Sequence, residues 1–140
     1  MESSQQFIKR KEKQFEKEKE SCKKIGMKDI GRKTKMFFTR EKWTLMQQSN
    51  MPQKVFLVEK LKKHSCDKDK MAYPKSWRDG DIEYRIGYYI IGRINKAENK
   101  WIWGQFCPII PEKDLNLLIN SAKKNGTIKK SYGGRTKERK

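Results

Sequence analysis

The chain has 140 residues and a mass of 16.8 kDa, which predicts one domain or at most two small ones. Its formal net charge is +18, and only 34% of its residues are hydrophobic, against about 45–50% apolar residues in an average domain. This shortage excludes a large core that draws on the whole length, and it indicates that part of the chain is solvated or becomes ordered on a partner.

The excess positive charge lies mainly toward the two ends of the chain. Residues 1–50 carry a net +7, residues 51–80 carry +4, residues 81–126 carry +2 and residues 127–140 carry +5. A nearly neutral body with cationic flanks favours a polyanionic partner, and we expect that partner to be a nucleic acid, DNA or RNA.

Neither a membrane span nor a leader is expected. The uncharged stretch Trp101–Pro111 is far shorter than the ~20 apolar residues that a spanning helix needs. Met1–Arg10 lacks the apolar core of a signal peptide.

The three cysteines (Cys22, Cys66 and Cys107) have no close spacing, which predicts reduced thiols. We therefore expect a cytoplasmic protein with no membrane partner.

The N-terminal segment is predicted to be a basic helical arm over residues 1–35. Ser3 and Ser4 are suitable N-caps for a helix from Gln5 to about Lys24, and Gly26 would end it. Apolar side chains are sparse in this stretch and like charges recur at i,i+4 spacing. The pattern predicts a marginal, exposed helix.

The next segment is predicted to form two short helices. Thr39 can cap a helix over Arg40–Gln48, and Pro52 can begin another that runs to about His64. Two helices joined by a three-residue turn have the outline of a helix-turn-helix motif. The β-prone run Lys54–Leu61 leaves a strand open as the alternative.

The strongest pattern is a β-hairpin within Glu83–Phe106. Tyr84, Ile86, Tyr88 and Ile90 alternate with residues of the opposite face, and a polar loop at 95–99 leads to a second strand that begins at Trp101. Because the centre of the first strand is apolar on both faces, we expect cover on both sides.

A helix and a tail complete the chain. Pro111 is placed to open a helix that ends near Asn125, with Glu112 and Asp114 in its first turn. Residues 127–140 are predicted to be a basic disordered tail. The predicted fold is therefore a small α+β domain over residues 36–126, with a hairpin-centred antiparallel sheet packed by short helices.

One motif in the hairpin resembles a nuclease family. Gly87-Tyr88-Tyr89 followed by Trp103-Gly104-Gln105 is similar in outline to the hairpin of GIY-YIG nucleases over about 20 residues. The resemblance implies a metal-dependent nuclease, with an arginine on the following helix and a metal-binding glutamate farther on. The helix after Pro111 has no arginine, and Glu138 is the only acid beyond it. Nuclease activity is therefore a minor alternative.

No metal or other cofactor is predicted, and no catalytic residue is assigned. His64-x-Cys66 brings only two ligands together, whereas a structural zinc site needs four. The function that we expect is non-catalytic nucleic-acid binding, with an aromatic and arginine hairpin as platform. The expected contacts are Arg32, Lys33, Lys35, Lys60, Lys62, Lys63, Arg85, Arg93, Lys129, Lys130 and Arg135. The alternative is a protein-binding module or inhibitor that targets an acidic or nucleic-acid-binding surface of a partner.

Overall fold

The structure, a computed structural model, describes residues 1–28, 35–66 and 78–131. Five antiparallel strands follow one another in the sheet in sequence order, and one helix packs on each face. This arrangement confirms the predicted α+β class. The elements are α1 (Ser4–Glu20), β1 (Ile25–Lys28), β2 (Lys35–Gln48), β3 (Met51–Cys66), β4 (Ile82–Ile91), β5 (Trp101–Trp103) and α2 (Glu112–Lys124).

The two helices predicted between Thr39 and His64 are wrong, because this segment forms the long hairpin of β2 and β3. The strands are joined at Ser49 and Asn50, and Gln48 pairs with Met51. Val55, Phe56, Leu57 and Val58 are all fully buried, since β3 is the central strand and is covered on both faces. Burial on both sides removes the alternation that would have identified a strand. No helix-turn-helix motif exists here.

The predicted C-terminal hairpin is confirmed. β4 pairs with β5 through Tyr89–Trp103, Ile90–Ile102 and Ile91–Trp101, and the loop between them contains one turn of 3-10 helix at Asn95–Ala97. Tyr88 and Tyr89 point to opposite faces and are both buried. The prediction that the centre of this strand is covered on both sides is also correct.

α1 packs on the sheet, so the prediction of an exposed helix is wrong. Ser3 caps it, accepting a hydrogen bond from the Gln6 amide. Phe7 and Phe15 are buried against Val55, Leu57 and Tyr89. Two phenylalanines eight residues apart lie on one helical face, and the sheet supplies the apolar surface that the helix sequence alone does not show.

α2 covers part of the opposite face, as the sequence predicts for a helix that begins after Pro111. Leu118 packs with Phe56, Val58 and Tyr88. Asp114 is buried and accepts the Ser49 amide at 2.7 Å, which ties the start of α2 to the β2–β3 turn.

Ordered packing continues beyond the predicted end of the domain. Thr127 is buried and its hydroxyl lies 2.9 Å from that of Thr44, while Ile128 packs against the core under α2. The prediction of a disordered tail from residue 127 is therefore wrong for Thr127 and Ile128. The part of the predicted tail at 132–140 lies outside the described residues.

Candidate nucleic-acid interface

Part of the sheet face that carries α2 remains uncovered. On β4, the side chains of Ile82, Tyr84 and Ile86 are 41%, 45% and 44% exposed. They alternate along the strand and so share the face of buried Tyr88. α2 reaches Phe56, Val58 and Tyr88 but leaves these three side chains open to solvent.

Lysines from neighbouring strands frame this apolar stripe. Lys42 of β2 pairs with Lys60 of β3, and Lys60 pairs with Tyr84 of β4. Lys62 pairs with Ile82 in an adjacent row. Because directly paired residues point to the same side of a sheet, two ammonium groups and a phenol ring stand in one row.

The C-terminal segment closes one side of a groove on this face. The groove has a volume of about 720 Å³, and Lys60, Tyr84, Ile128 and Lys129 contribute to its lining. We call the set of Lys42, Lys60, Lys62, Ile82, Tyr84, Ile86 and Lys129 the basic–aromatic face.

Two carboxylates also line the groove. They belong to Asp81 and Glu83, and Glu83 pairs with Lys63 at 3.4 Å. Three lysines line the same groove, namely Lys60, Lys63 and Lys129, so cations outnumber carboxylates there by three to two.

Three of the predicted contact residues are thus brought together, namely Lys60, Lys62 and Lys129. Lys63 also lines the groove, but it is buried and paired with Glu83. Lys130 is exposed directly after Lys129, whereas Arg93 is exposed after β4, at the other end of that strand. Lys35 begins β2, but its side chain lies outside the described residues, as do Arg32, Lys33 and Arg135.

Arg85 has a different environment from the one expected of a phosphate contact. Its Nε donates to Glu59 at 2.5 Å, and its guanidinium lies 4.7 Å from the Trp103 ring centroid. Glu59 is fully buried and also accepts from Arg40 at 2.8 Å. Arg40 in turn donates to Glu18 of α1 at 2.6 Å. The chain of ion pairs neutralises Arg85 and fixes α1 to the sheet.

The environment of Glu18 shows how strongly this network favours charge. Burial raises the pKa of Glu18, but hydrogen bonds from Gln14, Lys23 and Arg40 outweigh it and leave the pKa below its ordinary value. The folded protein therefore stabilises the ionised carboxylate.

The aromatic side chains of the predicted platform lie under α1. Phe7 stacks on Trp101 at 4.6 Å and meets Tyr89 edge-on at 4.9 Å. Tyr89 in turn meets Trp103 at 5.0 Å. Burial raises the pKa of Tyr89 to about 12, with the nearby Glu59 charge as a further cause. These rings form core, and Tyr84 is the aromatic residue exposed on the other side.

Sequence reasoning missed Lys42 and did not assign Tyr84 to a site. The sequence pattern predicts a helix at Lys42, and its position beside Lys60 follows only from the β2–β3 register. Tyr84 was assigned to the correct face of its strand, but the sequence does not show that α2 stops short of it. The alternation of apolar and charged residues along β4 is the signal in the sequence that could have pointed to Tyr84 as a site residue.

The glycines of the nuclease-like motif have a packing explanation. A Cβ atom on Gly87 would collide with the Trp103 ring, and one on Gly104 would collide with the Tyr88 ring. Each glycine therefore makes room for an aromatic ring from the paired strand. The motif's glycines and rings are accounted for by the hairpin core without a catalytic role.

The described ranges, 1–28, 35–66 and 78–131, hold neither a metal-binding cluster nor a membrane-spanning helix. They contain no group of three or more histidine, cysteine, aspartate or glutamate side chains arranged to hold a metal ion. None of their helices combines the length and apolarity needed to cross a membrane. Comparison with protein-family models, curated proteins and solved structures found no match to this chain.

Proposed function

We propose that this protein binds single-stranded nucleic acid without catalysis, in the cytoplasm, through the basic–aromatic face. The observation that carries the proposal is the row Lys42–Lys60–Tyr84 on the uncovered part of the sheet. An exposed ring beside ammonium groups can stack on a base while the lysines contact flanking phosphates.

The lysines of the row and Lys62 beside it have no carboxylate partner among the described residues, which supports phosphate binding. Among the residues that the structure describes, Lys42, Lys60 and Lys62 have no carboxylate within ion-pair distance. The whole-chain charge of +18 adds long-range attraction to any polyanion.

We expect this face to prefer single strands to duplexes, because the Tyr84 ring can stack only on a base whose face is accessible. Tyr84 lies near the start of β4, where β5 does not pair, and so stands at the edge of the sheet between Ile82 and Ile86. It does not project from a loop or helix that could enter a groove. A base that is already unpaired can lie flat on the ring, whereas a base inside a duplex first has to be flipped out.

The test is fluorescence anisotropy with a labelled octanucleotide at several salt concentrations. Replacing Tyr84 with Ala should weaken binding by about 1–3 kcal/mol, the usual contribution of one stacked base, while Tyr84→Phe should bind like the wild type. The double variant Lys60→Gln/Lys62→Gln should lower the log–log salt slope by about 1.4, which corresponds to two lost phosphate contacts.

A matched control removes the same charge elsewhere. Lys96 and Lys100 are exposed beside the β4–β5 loop, at the opposite end of β4 from Ile82. Lys96→Gln/Lys100→Gln should leave the salt slope nearly unchanged. Equal effects from the two double variants would show that only total charge matters and would refute the assignment of this face.

The second candidate function, docking on a protein partner, has its own observation. Phe106 and Ile109 are 80% and 83% exposed in the segment between β5 and α2. Exposed large apolar side chains of this kind are typical of contact surfaces. If the wild-type protein fails to bind the octanucleotide at low salt, this candidate replaces the first.

A further inference from the structure

The second basic surface lies on one flank of α1, on the opposite layer of the molecule. Lys9, Lys13 and Lys17 follow one another at i,i+4 spacing and are exposed. With Gln6, Arg10, Gln14 and Glu18 they line a shallow depression of about 640 Å³. Side chains four residues apart on a helix are neighbours, so the lysines form one continuous row.

The carboxylate that lines the depression is already paired with cations. Glu18, the acid that lines the depression, pairs with Arg40 at 2.6 Å and with Lys23 at 3.3 Å. Glu12, Glu16 and Glu20 are exposed in the adjacent row, each three residues from a lysine, and they lower the local positive charge. Within the residues that the structure describes, none of them forms an ion pair with Lys9, Lys13 or Lys17.

The lysines themselves have no acidic partner. In the described part of the chain, Lys9, Lys13 and Lys17 form no ion pair, whereas Arg10 pairs with Glu2 at 2.8 Å. The depression thus combines three lysines without an acidic partner with two amide side chains, a paired arginine and a paired glutamate.

The spacing of the row fits a nucleic-acid backbone. Lys9 and Lys17 are eight residues apart, which corresponds to about 12 Å along a helix. A duplex carries one phosphate per ~3.4 Å of its axis on each strand, and successive phosphates are farther apart than this rise because the strand winds around the axis. The row therefore reaches about two or three phosphates of one strand. No aromatic ring is available on this flank for stacking, because Phe7 and Phe15 are buried beneath the helix. Such a surface can contact phosphates but offers no ring on which an unpaired base could stack. A duplex, whose bases are already paired and stacked, therefore suits it better than a single strand.

We propose that the protein holds two nucleic-acid segments at once, a single strand on the basic–aromatic face and a duplex on the lysine flank of α1. The inference rests on the proposed function for its first segment. The two surfaces lie on opposite faces of the sheet, separated by one helix and one sheet, about 15–20 Å. A short rigid duplex on α1 does not reach the other side.

The experiment measures the labelled octanucleotide captured by a 20-base-pair duplex fixed to beads, with and without protein. The wild type should capture the octanucleotide, and sedimentation should show one protein with one duplex and one octanucleotide. Mutual displacement of the two nucleic acids from the wild type would overturn the proposal. So would a complex with two protein copies, because self-association would then explain the capture.

Variants separate this inference from the proposed function. Lys9→Gln/Lys13→Gln/Lys17→Gln should abolish capture and lower the duplex salt slope by about 2.7, while octanucleotide binding in solution stays within about threefold of the wild type. Tyr84→Ala should bind the octanucleotide about 5- to 150-fold more weakly and bind the duplex like the wild type.

A charge-matched triple variant controls for the loss of three lysines. Lys96→Gln/Lys100→Gln/Lys113→Gln removes three exposed lysines from the β4–β5 loop and α2 and should capture normally. If the α1 variant also captures normally, the bridging inference fails although the proposed function stands. If the wild type binds duplex but no octanucleotide, the proposed function fails.

Discussion

Replacing Glu59 with Gln tests whether the buried ion-pair network holds α1 to the sheet. The Glu59 side chain has no exposed surface and joins two arginines, at 2.8 Å to Arg40 and at 2.5 Å to Arg85. Glutamine keeps the shape but removes the charge. Breaking a buried ion pair by removing one partner costs about 3–5 kcal/mol, because the other charge stays buried without compensation.

The expected cost lies at the lower end of that range, about 3 kcal/mol. Arg40, whose side chain is 6% exposed, keeps Glu18 as a partner. The Arg85 side chain is 32% exposed and can recover hydration. Since small domains have a free energy of unfolding of about 5–15 kcal/mol, this loss would be a large fraction of the total.

Urea denaturation followed by tryptophan fluorescence measures the effect. With a slope of about 1–3 kcal/mol per molar, the midpoint should fall by at least about 1 M. The control is Glu2→Gln, because the Glu2 and Arg10 side chains are 29% and 51% exposed and their pair should contribute less than about 1 kcal/mol. If Glu59→Gln destabilises no more than Glu2→Gln, the network does not hold the fold together.

Three further outcomes are expected. Gly104→Ala should cost about 1–3 kcal/mol because the new methyl group collides with the Tyr88 ring, and Tyr88→Leu in the same chain should recover part of the loss; an unaffected melting temperature in the single variant would contradict the packing. The lowered pKa of Glu18 stabilises the fold above the carboxyl's ordinary pKa, and that stability is lost as the pH falls. Thermal melts between about pH 5 and pH 3 should therefore show a smaller loss for Glu18→Gln than for the wild type. The raised pKa of Tyr89, about 12, stabilises the fold below pH ~10, and that stability is lost as the pH rises toward 12. Tyr89→Phe should flatten this alkaline loss, and equal slopes for both proteins would argue against a buried phenol.

The sequence by itself determined the elements whose signals are local. The β4–β5 hairpin alternates clearly and turns through a polar loop, and α2 begins after Pro111 with acids in its first turn. Backbone preference, side-chain period and capping agree in these segments, so the α+β class and the cover on both sides of β4 could be predicted. The concentration of charge toward the chain ends was equally visible.

Only the tertiary structure decided the centre of the sheet. β3 is buried on both faces, so its continuous apolar run has neither strand nor helix period, and the long-range pairing with β2 and β4 settles its conformation. α1 shows the same dependence, because a helix with few apolar residues becomes ordered only on the surface that buries Phe7 and Phe15.

The candidate site depends on the same long-range pairing. Lys42, Lys60 and Tyr84 are far apart in the chain and meet through strand register. Glu59 likewise draws Arg40 and Arg85 into the core, although each would be assigned to the surface by composition. Which charged side chains are neutralised inside and which remain available to a ligand is set by partners distant in sequence, because the cost of burying a charge depends on what lies beside it.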